Sequence, residues 1–315
     1  MKNRSKLTAA NKEQQSSQRG GSPAKTPQQE TVRGRSLRRH WLVYCGIMIV
    51  PLLSLGIYSR FVEPHWMKLN YITLPGSGQG GSFRAVHLTD FHLSGHVPLT
   101  YIQRVCQQAA AQQPDIIFLT GDFVERGTTP TPQFQETLAT LASRVPTFAC
   151  GGNHDGGVWA QRGGGFADTS VIAAMLTAAG IRFLEDEAVV VDINSIPLLV
   201  GGMRDLWAGP LDLAQLRSMF AHSNARLKIL LAHNPESHAV ASVIDYDVML
   251  SGHTHGGQVR LPFYGPLILP VSDRHLAQGL LPLANRFLYI SSGVGNLEGI
   301  RFNCRPEIAV LTFTP

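Results

Sequence analysis

The sequence predicts an α/β protein that follows an N-terminal apolar segment. Short apolar runs of strand length alternate with stretches of helical periodicity, and most of these runs end in a polar loop. Over 315 residues, 44% are hydrophobic and 16% are charged, which is typical of a globular chain with a sizeable core. Alternating strands and helices of this kind favour layers of helix packed on sheet.

Residues 1–40 form a basic tail. They contain ten Lys or Arg residues against Glu13 and Glu30, a balance of +8, whereas the whole chain has a net charge of +5. Residues 41–315 therefore sum to 5 − 8 = −3. We expect the tail to be disordered, because it has too few large apolar side chains to offset its ordering entropy. Since the positive charge lies in the tail, a nucleic-acid groove on the folded body is not indicated.

Residues 41–60 form the apolar segment, which we interpret as a transmembrane anchor. From Trp41 to Ser59, nineteen residues run without a formal charge, about the length that crosses a bilayer as a helix. Four arginines precede this run, at positions 33, 35, 38 and 39. This flank predicts a single-pass protein of the inner (cytoplasmic) membrane, with its N-terminus in the cytoplasm and its body in the periplasm.

A cleaved export signal is the alternative for this segment. The letters RRHWL at 38–42 are close to a twin-arginine export signature. No small-x-small cleavage site follows the apolar run, which favours an uncleaved anchor. A peripheral or cytoplasm-facing body is the alternative to export.

The body, residues 61–315, carries the strands and helices. Six apolar runs are predicted as buried strands that end in a loop: 83–90, 115–122, 145–155, 226–234, 246–255 and 287–296. Helices are predicted near 100–112, 132–143, 168–179 and 236–243, and the glycine-rich stretch 156–167 is predicted as a loop.

Aspartate, asparagine and histidine residues follow five of the six predicted strands. They are Asp90, His92, Asp122, Asn153, His154, Asp155, His233, His253 and His255. Each one alone is typical of a turn or a helix cap. Ligand sites of open α/β sheets lie at the carboxyl ends of the strands, so we expect these side chains to converge in space.

The set indicates a metal site. Carboxylate, imidazole and carboxamide groups suit Mn²⁺, Mg²⁺, Fe or Zn²⁺. The four cysteines are scattered without a CxxC pair, so a thiolate site is not indicated. Even seven ligands from this set of nine residues would be too many for one tetrahedral ion and would suit two ions that share a carboxylate.

Five short blocks resemble those of the calcineurin-like metallophosphoesterases. They are DFH at 90–92, GDFVE at 121–125, GGNHD at 151–155, AHN at 232–234 and GHTH at 252–255. The stretches EPHWMKL, DLWAG and NCRPE are similar to the YaeI subgroup of bacterial phosphodiesterases, so the likeness extends from about residue 63 to the C-terminus. The resemblance implies a layered sandwich of two mixed β-sheets flanked by helices.

The resemblance also implies a role for each site residue. Asp90, His92 and His255 would hold one metal ion, and Asn153, His233 and His253 the other. Asp122 would bridge the two ions, of which Mn²⁺ is favoured and Mg²⁺, Fe and Zn²⁺ are alternatives. Glu125 stands where many relatives carry Asp, at a supporting position that leaves the ligand set intact.

The implied activity is phosphodiester hydrolysis by in-line attack of a metal-bridging hydroxide. His154 would act as general acid, and Asp155 would orient it and favour its imidazolium form; structural support is the alternative for His154. A lipid-linked or other cell-envelope substrate fits a membrane anchor. The alternative functions are a UDP-2,3-diacylglucosamine pyrophosphatase, a phosphomonoesterase, and a catalytically silent membrane-tethered binding protein. The sequence does not indicate an oligomeric state.

Two further pairs of residues have open roles. Asp205 and Trp207 are expected at the rim of the pocket. Arg301 and Arg305 are expected either to contact a phosphate group or to pair with a nearby glutamate.

Overall fold

The computed structural model describes residues 27–76 and 81–315. It forms two units, divided between Leu53 and Ser54. The predicted tail falls partly outside the described residues, which begin at Pro27.

Helix α1 (Pro27–Ile57) forms the N-terminal unit and extends slightly beyond it. A π-helical turn (Tyr58–Val62) and a 3₁₀ turn (Glu63–His65) follow it directly. The stretch Leu37–His65 is long and apolar enough to cross a membrane by length and composition. Residues 27–40, which we expected in the disordered tail, lie in this helix, because adding residues to an existing helix costs far less than starting one.

The body contains two six-stranded sheets and one small hairpin. The strands are β1 (Lys68–Pro75), β2 (Phe83–Leu88), β3 (Ile116–Thr120), β4 (Thr147–Cys150), β5 (Arg182–Phe183), β6 (Glu187–Ile193), β7 (Ile196–Gly202), β8 (Leu227–Leu231), β9 (Val248–Ser251), β10 (Arg260–Leu261), β11 (Gly265–Pro266), β12 (Gly279–Leu283), β13 (Arg286–Ile290) and β14 (Glu307–Thr314).

Both large sheets are mixed. The first has the order β1-β14-β2-β3-β4-β5, in which β2 to β5 are parallel and β14 is antiparallel to β2. The second has the order β12-β13-β9-β8-β7-β6, in which β13, β9, β8 and β7 are parallel and the two edge strands are antiparallel. The antiparallel pair β10–β11 forms the hairpin.

Helices α2 (Leu99–Ala110), α3 (Pro132–Ala142) and α5 (Ser170–Ala178) cover the outer face of the first sheet, and α6 (Ala214–Ala221) covers that of the second. Two short helices, α4 (Val158–Gln161) and α7 (Ser237–Val240), lie in the connections after β4 and β8. Ile117 and Leu119 pack toward α2, α3 and α5, whereas the alternate residues Ile116 and Phe118 pack against the second sheet. The core therefore lies in three layers, and the predicted α/β class with two mixed sheets is confirmed.

The four predicted helices correspond to α2, α3, α5 and α7. The stretch 156–167, predicted as a loop, contains the short helix α4. The six predicted strands correspond to β2, β3, β4, β8, β9 and β13, and the other eight strands were not predicted. In β1 and β6 about half of the side chains are exposed, so the apolar pattern is weak.

Candidate metal centre

The loops after β2, β3, β4, β8 and β9 bring the nine predicted site residues together at one edge of the two sheets. All nine are buried, including the carboxylates of Asp90 and Asp122. Five have positive φ angles of 46° to 70°, an uncommon conformation for residues other than glycine; they are Asp90, His92, Asp122, His253 and His255. Such strain persists only where the surrounding structure holds it, and it clusters at functional sites.

The first cluster consists of Asp90, His92 and His255. The Nε2 atoms of the two histidines lie 3.0 Å apart, and His255 Nε2 lies 3.3 Å from Asp90 Oδ1. Two imidazole nitrogens held at right angles on one ion, each about 2.1 Å from it, are about 3 Å apart. The spacing therefore fits a single cation between the two rings.

The second cluster consists of Asp122, His233 and His253, with Asn153 beside it in the loop after β4. His233 Nδ1 lies 2.7 Å from the carbonyl oxygen of Thr120, which orients the ring and leaves Nε2 for another partner. Among the described residues, Asn153 Oδ1 and His253 Nε2 are buried without a hydrogen bond, and His233 Nε2 faces the Asp122 carboxylate. Because buried polar atoms are normally paired, these donor atoms fit a bound cation.

Asp122 lies between the two clusters. Its Oδ2 atom is 3.1 Å from His233 Nε2 and 3.4 Å from His92 Nε2. Its Oδ1 atom accepts a hydrogen bond of 2.9 Å from the backbone N–H of His154. This position fits a carboxylate shared by two ions.

The two carboxylates are held in their ionised form. Burial alone would raise the pKa of Asp90, but the neighbouring His255 ring and a hydrogen bond with His92 outweigh burial and hold the pKa well below its usual range. The pKa of Asp122 is likewise low, because His233 and His154 outweigh burial. Both groups are therefore available as anionic ligands.

The four histidines of the two clusters divide into two groups by the direction in which their pKa is shifted. Burial lowers the pKa of His253 to about 3 and also lowers the pKa of His255, so both imidazoles are neutral, as metal ligands must be. Burial would also lower the pKa of His92, but Asp90 and Glu125 raise it to about 10. Asp122 raises the pKa of His233 against burial in the same way. The buried carboxylates thus require positive charge, which divalent ions would supply.

The role predicted for Asp155 is wrong. Its carboxylate does not orient the His154 ring but accepts hydrogen bonds of 2.8 Å from three backbone amides, those of Asp122, Phe123 and Gly152. Burial, and then the charge of Asp122, raises the pKa of Asp155 to about 7. Asp155 thereby ties the loop after β3 to the loop after β4.

Glu125, and not Asp155, is the carboxylate that contacts the His154 ring. Its Oε1 atom lies 2.9 Å from His154 Nδ1, and its Oε2 atom lies 3.1 Å from His92 Nδ1. The carboxylate therefore connects the candidate general acid to a candidate ligand of the first cluster. The GDFVE block contained this residue, but its sequence distance from His154 gave no sign of the contact.

Aromatic side chains line one side of the centre. The Trp159 ring lies 4.5 Å from the His154 ring, and the Trp207 ring lies 4.6 Å from the His253 ring. Asp205, expected at the rim, is buried and accepts a hydrogen bond of 2.8 Å from the backbone N–H of Trp207. Together these residues form a wall beside the two clusters.

Neither of the two C-terminal arginines is placed to bind substrate. Arg301 is fully buried and donates to the carbonyl oxygens of Ser292, Gly295 and Cys304. Arg305 lies 4.1 Å over the ring of Trp66 and donates to that residue's carbonyl oxygen. Both residues brace the C-terminal loop.

Two adjacent ligand clusters around one shared aspartate, at the edge of a double-sheet α/β sandwich, define a dinuclear metallohydrolase. The chain belongs to the calcineurin-like phosphoesterase family, whose model matches residues 83–257. The predicted family resemblance is therefore confirmed.

Several relatives match most of the chain. Phosphodiesterase YaeI of Escherichia coli strain K12 is 35% identical over 87% of this chain and 98% of its own length. The uncharacterized metallophosphoesterase YkuE of Bacillus subtilis strain 168 is 30% identical over 81% of this chain and 88% of its own length. UDP-2,3-diacylglucosamine pyrophosphatase LpxG of Chlamydia trachomatis is 26% identical over 84% of this chain and 94% of its own length.

Proposed function

We propose that the chain is a phosphoric diester hydrolase that depends on two divalent metal ions. The observation that carries this proposal is the position of Asp122, whose Oδ2 atom lies within 3.4 Å of a histidine from each cluster. The 35% identity with a named phosphodiesterase over 98% of that protein supports a diester as substrate.

We propose that the candidate ligands divide between the two ions as the sequence suggests. Asp90, His92 and His255 would hold one ion, Asn153, His233 and His253 the other, and Asp122 both. When bound, the two ions supply Lewis-acid chemistry, which lowers the pKa of a shared water and neutralises charge on the phosphoryl oxygens. Oxygen and nitrogen donors without a thiolate suit Mn²⁺, which we propose as the metal.

His154 is the candidate general acid. Its Nε2 atom lies 4.0 Å from Asp122 Oδ2 and therefore faces the centre, whereas its Nδ1 atom faces Glu125. The carboxylate of Glu125 keeps a proton on Nδ1, so the imidazolium form carries its second proton on Nε2. That proton is the one to be transferred to the leaving oxygen of the ester.

Hydrolysis of two model esters by the full chain in detergent tests the proposal. The chain is stripped of metal, given Mn²⁺, and supplied with bis-p-nitrophenyl phosphate or p-nitrophenyl phosphate. We expect metal-dependent cleavage of the diester that is lost in Asn153→Ala and kept in the control Asn224→Ala. Asn224 is exposed and precedes β8, at the opposite end of that strand from His233. Cleavage of the monoester alone would make the protein a phosphomonoesterase, and no cleavage by a metal-loaded chain would favour the silent binding protein.

A pyrophosphatase of the LpxG kind is the second candidate. The 26% identity to two such proteins over 84% of this chain favours it. UDP-2,3-diacylglucosamine is therefore included as a third substrate in the same assay. Faster turnover of this substrate than of any simple diester would favour the second candidate over the first.

We propose that residues 1–40 are a cytoplasmic tail, residues 41–60 an inner-membrane anchor, and residues 61–315 a periplasmic catalytic domain. The apolar stretch Leu37–His65 and the arginines before it support this topology. Protease added to spheroplasts of a Gram-negative host that produces the chain should digest the catalytic domain. Protection of the domain until the membrane is opened would place it in the cytoplasm, the side on which a UDP-linked substrate is available.

A further inference from the structure

A groove of about 440 Å³ opens directly beside the candidate metal centre. His253 and His255, one from each cluster, lie at its inner end. Much of the rest of the lining is aliphatic and includes Val259, Leu267 and Ile268. The volume falls in the range of small-molecule sites, about 300–1,000 Å³. A phosphate group at the metal centre would therefore have an apolar channel next to it.

Val259 and Leu267–Ile268, the residues that flank the hairpin β10–β11, form one wall of the groove, and the hairpin adds exposed apolar side chains beside it. Ile268 is 80% exposed, and Phe263 at the hairpin tip is fully exposed, with Tyr264 beside it. Phe263 also has a φ of +65°, a costly conformation for a bulky residue. Contiguous exposed apolar side chains of this kind mark a surface that contacts an apolar phase or ligand.

A second wall, formed by Leu297 and Glu298, leads into the loop that contacts the residues after the apolar helix α1. Leu297 in this wall is held by Gln258, whose Oε1 atom accepts from the backbone N–H of Leu297 at 2.6 Å. A few residues further on, the backbone N–H of Arg301 donates to the carbonyl oxygen of Ser59 at 2.9 Å, and Arg60 donates to that of Gly299 at 3.1 Å.

Ser59 follows Ile57, the last residue of α1, by only two positions. Two residues of extended chain span at most about 7 Å, so Ser59 and the loop that it contacts stay close to the end of the apolar helix. With this helix as the membrane anchor proposed above, the groove would be tethered within reach of membrane lipids.

We propose that this groove binds a hydrocarbon chain of a membrane phosphodiester whose phosphate group occupies the metal centre. The inference rests on the proposed phosphodiesterase function and narrows it to amphiphilic substrates. Glu298 also lines the groove but is exposed, so its carboxylate stays in water and does not oppose an apolar occupant.

Two soluble diesters that differ only in chain length test the proposal. The full chain, loaded with Mn²⁺ and held in a steroid-based detergent without a linear alkyl tail, is given methyl p-nitrophenyl phosphate or octyl p-nitrophenyl phosphate. Each methylene that the groove buries is expected to raise kcat/KM about fourfold, so burial of two or more gives an octyl-to-methyl ratio above roughly ten.

The variant Ile268→Asn locates the effect. Because Ile268 is 80% exposed, the substitution leaves the core intact, and we expect the octyl-to-methyl ratio to fall toward one. Val190→Asn, at an exposed position of the edge strand β6, is the matched control and should keep the wild-type ratio.

The outcomes separate the groove from the function on which it rests. Hydrolysis of the methyl diester with a wild-type ratio near one would overturn the groove and leave the phosphodiesterase intact. An unchanged high ratio in Ile268→Asn would place chain recognition elsewhere and overturn the proposal. No hydrolysis of either diester would overturn the proposed function, and the groove proposal with it.

Discussion

Asp122 places one carboxylate oxygen, Oδ2, close to a histidine ring nitrogen of each ligand cluster. Replacing it with asparagine removes the shared negative charge while keeping the shape of the side chain. Mutation of a residue that only contacts a metal ligand typically lowers metal affinity or activity about 10- to 100-fold. Loss of a ligand that both ions share should lower activity by more than this.

We therefore expect Asp122→Asn to lower kcat for bis-p-nitrophenyl phosphate by more than about 100-fold. Metal analysis of the purified variant should show fewer than two ions per chain. Asp192→Asn, on the edge strand β6, is the control and should keep two ions. Full activity and two bound ions in Asp122→Asn would show that Asp122 does not bridge the two ions.

Glu125 is the second residue whose role is decided by contacts. Because it faces both His154 and His92, Glu125→Gln should lower kcat about 10- to 100-fold, and Glu125→Asp should recover part of the loss. If Glu125 orients the general acid, the loss is larger for a phenyl diester than for a p-nitrophenyl diester, whose better leaving group needs less protonation.

The control for this prediction is Glu136→Gln, at an exposed position on α3. Equal losses for the two diesters in Glu125→Gln would show that Glu125 supports only metal binding. The comparison of leaving groups thus separates a role in proton transfer from a structural one.

The sequence predicted the position of all nine site residues but misassigned one partnership. The positions were predictable because each residue follows a buried strand within a few letters. The carboxylate that contacts His154 was not predictable, because neighbours in sequence such as His154 and Asp155 turn their side chains in different directions. Asp155 faces the backbone of another loop, and Glu125 reaches His154 from 29 positions away, through the fold.

At the scale of elements, a polar link joins the two sheets through their interior. Glu307 on β14 of the first sheet accepts a hydrogen bond of 2.6 Å from the Tyr289 hydroxyl on β13 of the second. Lys68 on β1 lies 2.8 Å from the same carboxylate. Burial would raise the pKa of Glu307, but Lys68 and Tyr289 outweigh it and lower the pKa.

We expect Glu307→Gln to lower the free energy of unfolding by about 2 kcal/mol at neutral pH, since hydrogen bonds to a charged group are lost. A lowered folded-state pKa means that the stabilisation is present above the unfolded pKa, about 4.3, and is lost as pH falls through the folded value. The difference between wild type and variant should therefore shrink below about pH 4.

Denaturant unfolding followed by tryptophan fluorescence measures this difference. Glu187→Gln is the control, because its ion pair with Arg182 is largely exposed and such pairs contribute between about 0 and 1 kcal/mol. A Glu307→Gln variant as stable as wild type at neutral pH would contradict the role of the link.

Most of the strands that the sequence predicted are buried on both faces, but burial alone did not suffice, because β7 and β14 are also largely buried and were not predicted. Strands β2, β3, β8 and β9 are almost wholly buried, and each appears in the sequence as a mainly apolar run that leads into a polar loop. Strand β1 alternates between half-buried and exposed residues, and its partner β14 lies more than 200 positions away. Pairing over such a distance leaves no local pattern to recognise.

At the scale of the whole molecule, five loops from two sheets supply the candidate ligands. Strands β2, β3 and β4 belong to the first sheet, and β8 and β9 to the second. Neither sheet alone supplies a complete ligand cluster, because Asp90 and His255 come from different sheets and so do Asp122 and His253. The centre therefore exists only when the two sheets are packed together.

A titration of the metal-free full chain with Mn²⁺, monitored by hydrolysis of bis-p-nitrophenyl phosphate, tests the shared centre most directly. We predict turnover that rises to a sharp end point at two ions per chain in the wild type and is absent without metal. An end point at one ion per chain, or full turnover by the metal-free chain, would contradict a dinuclear centre bridged by Asp122.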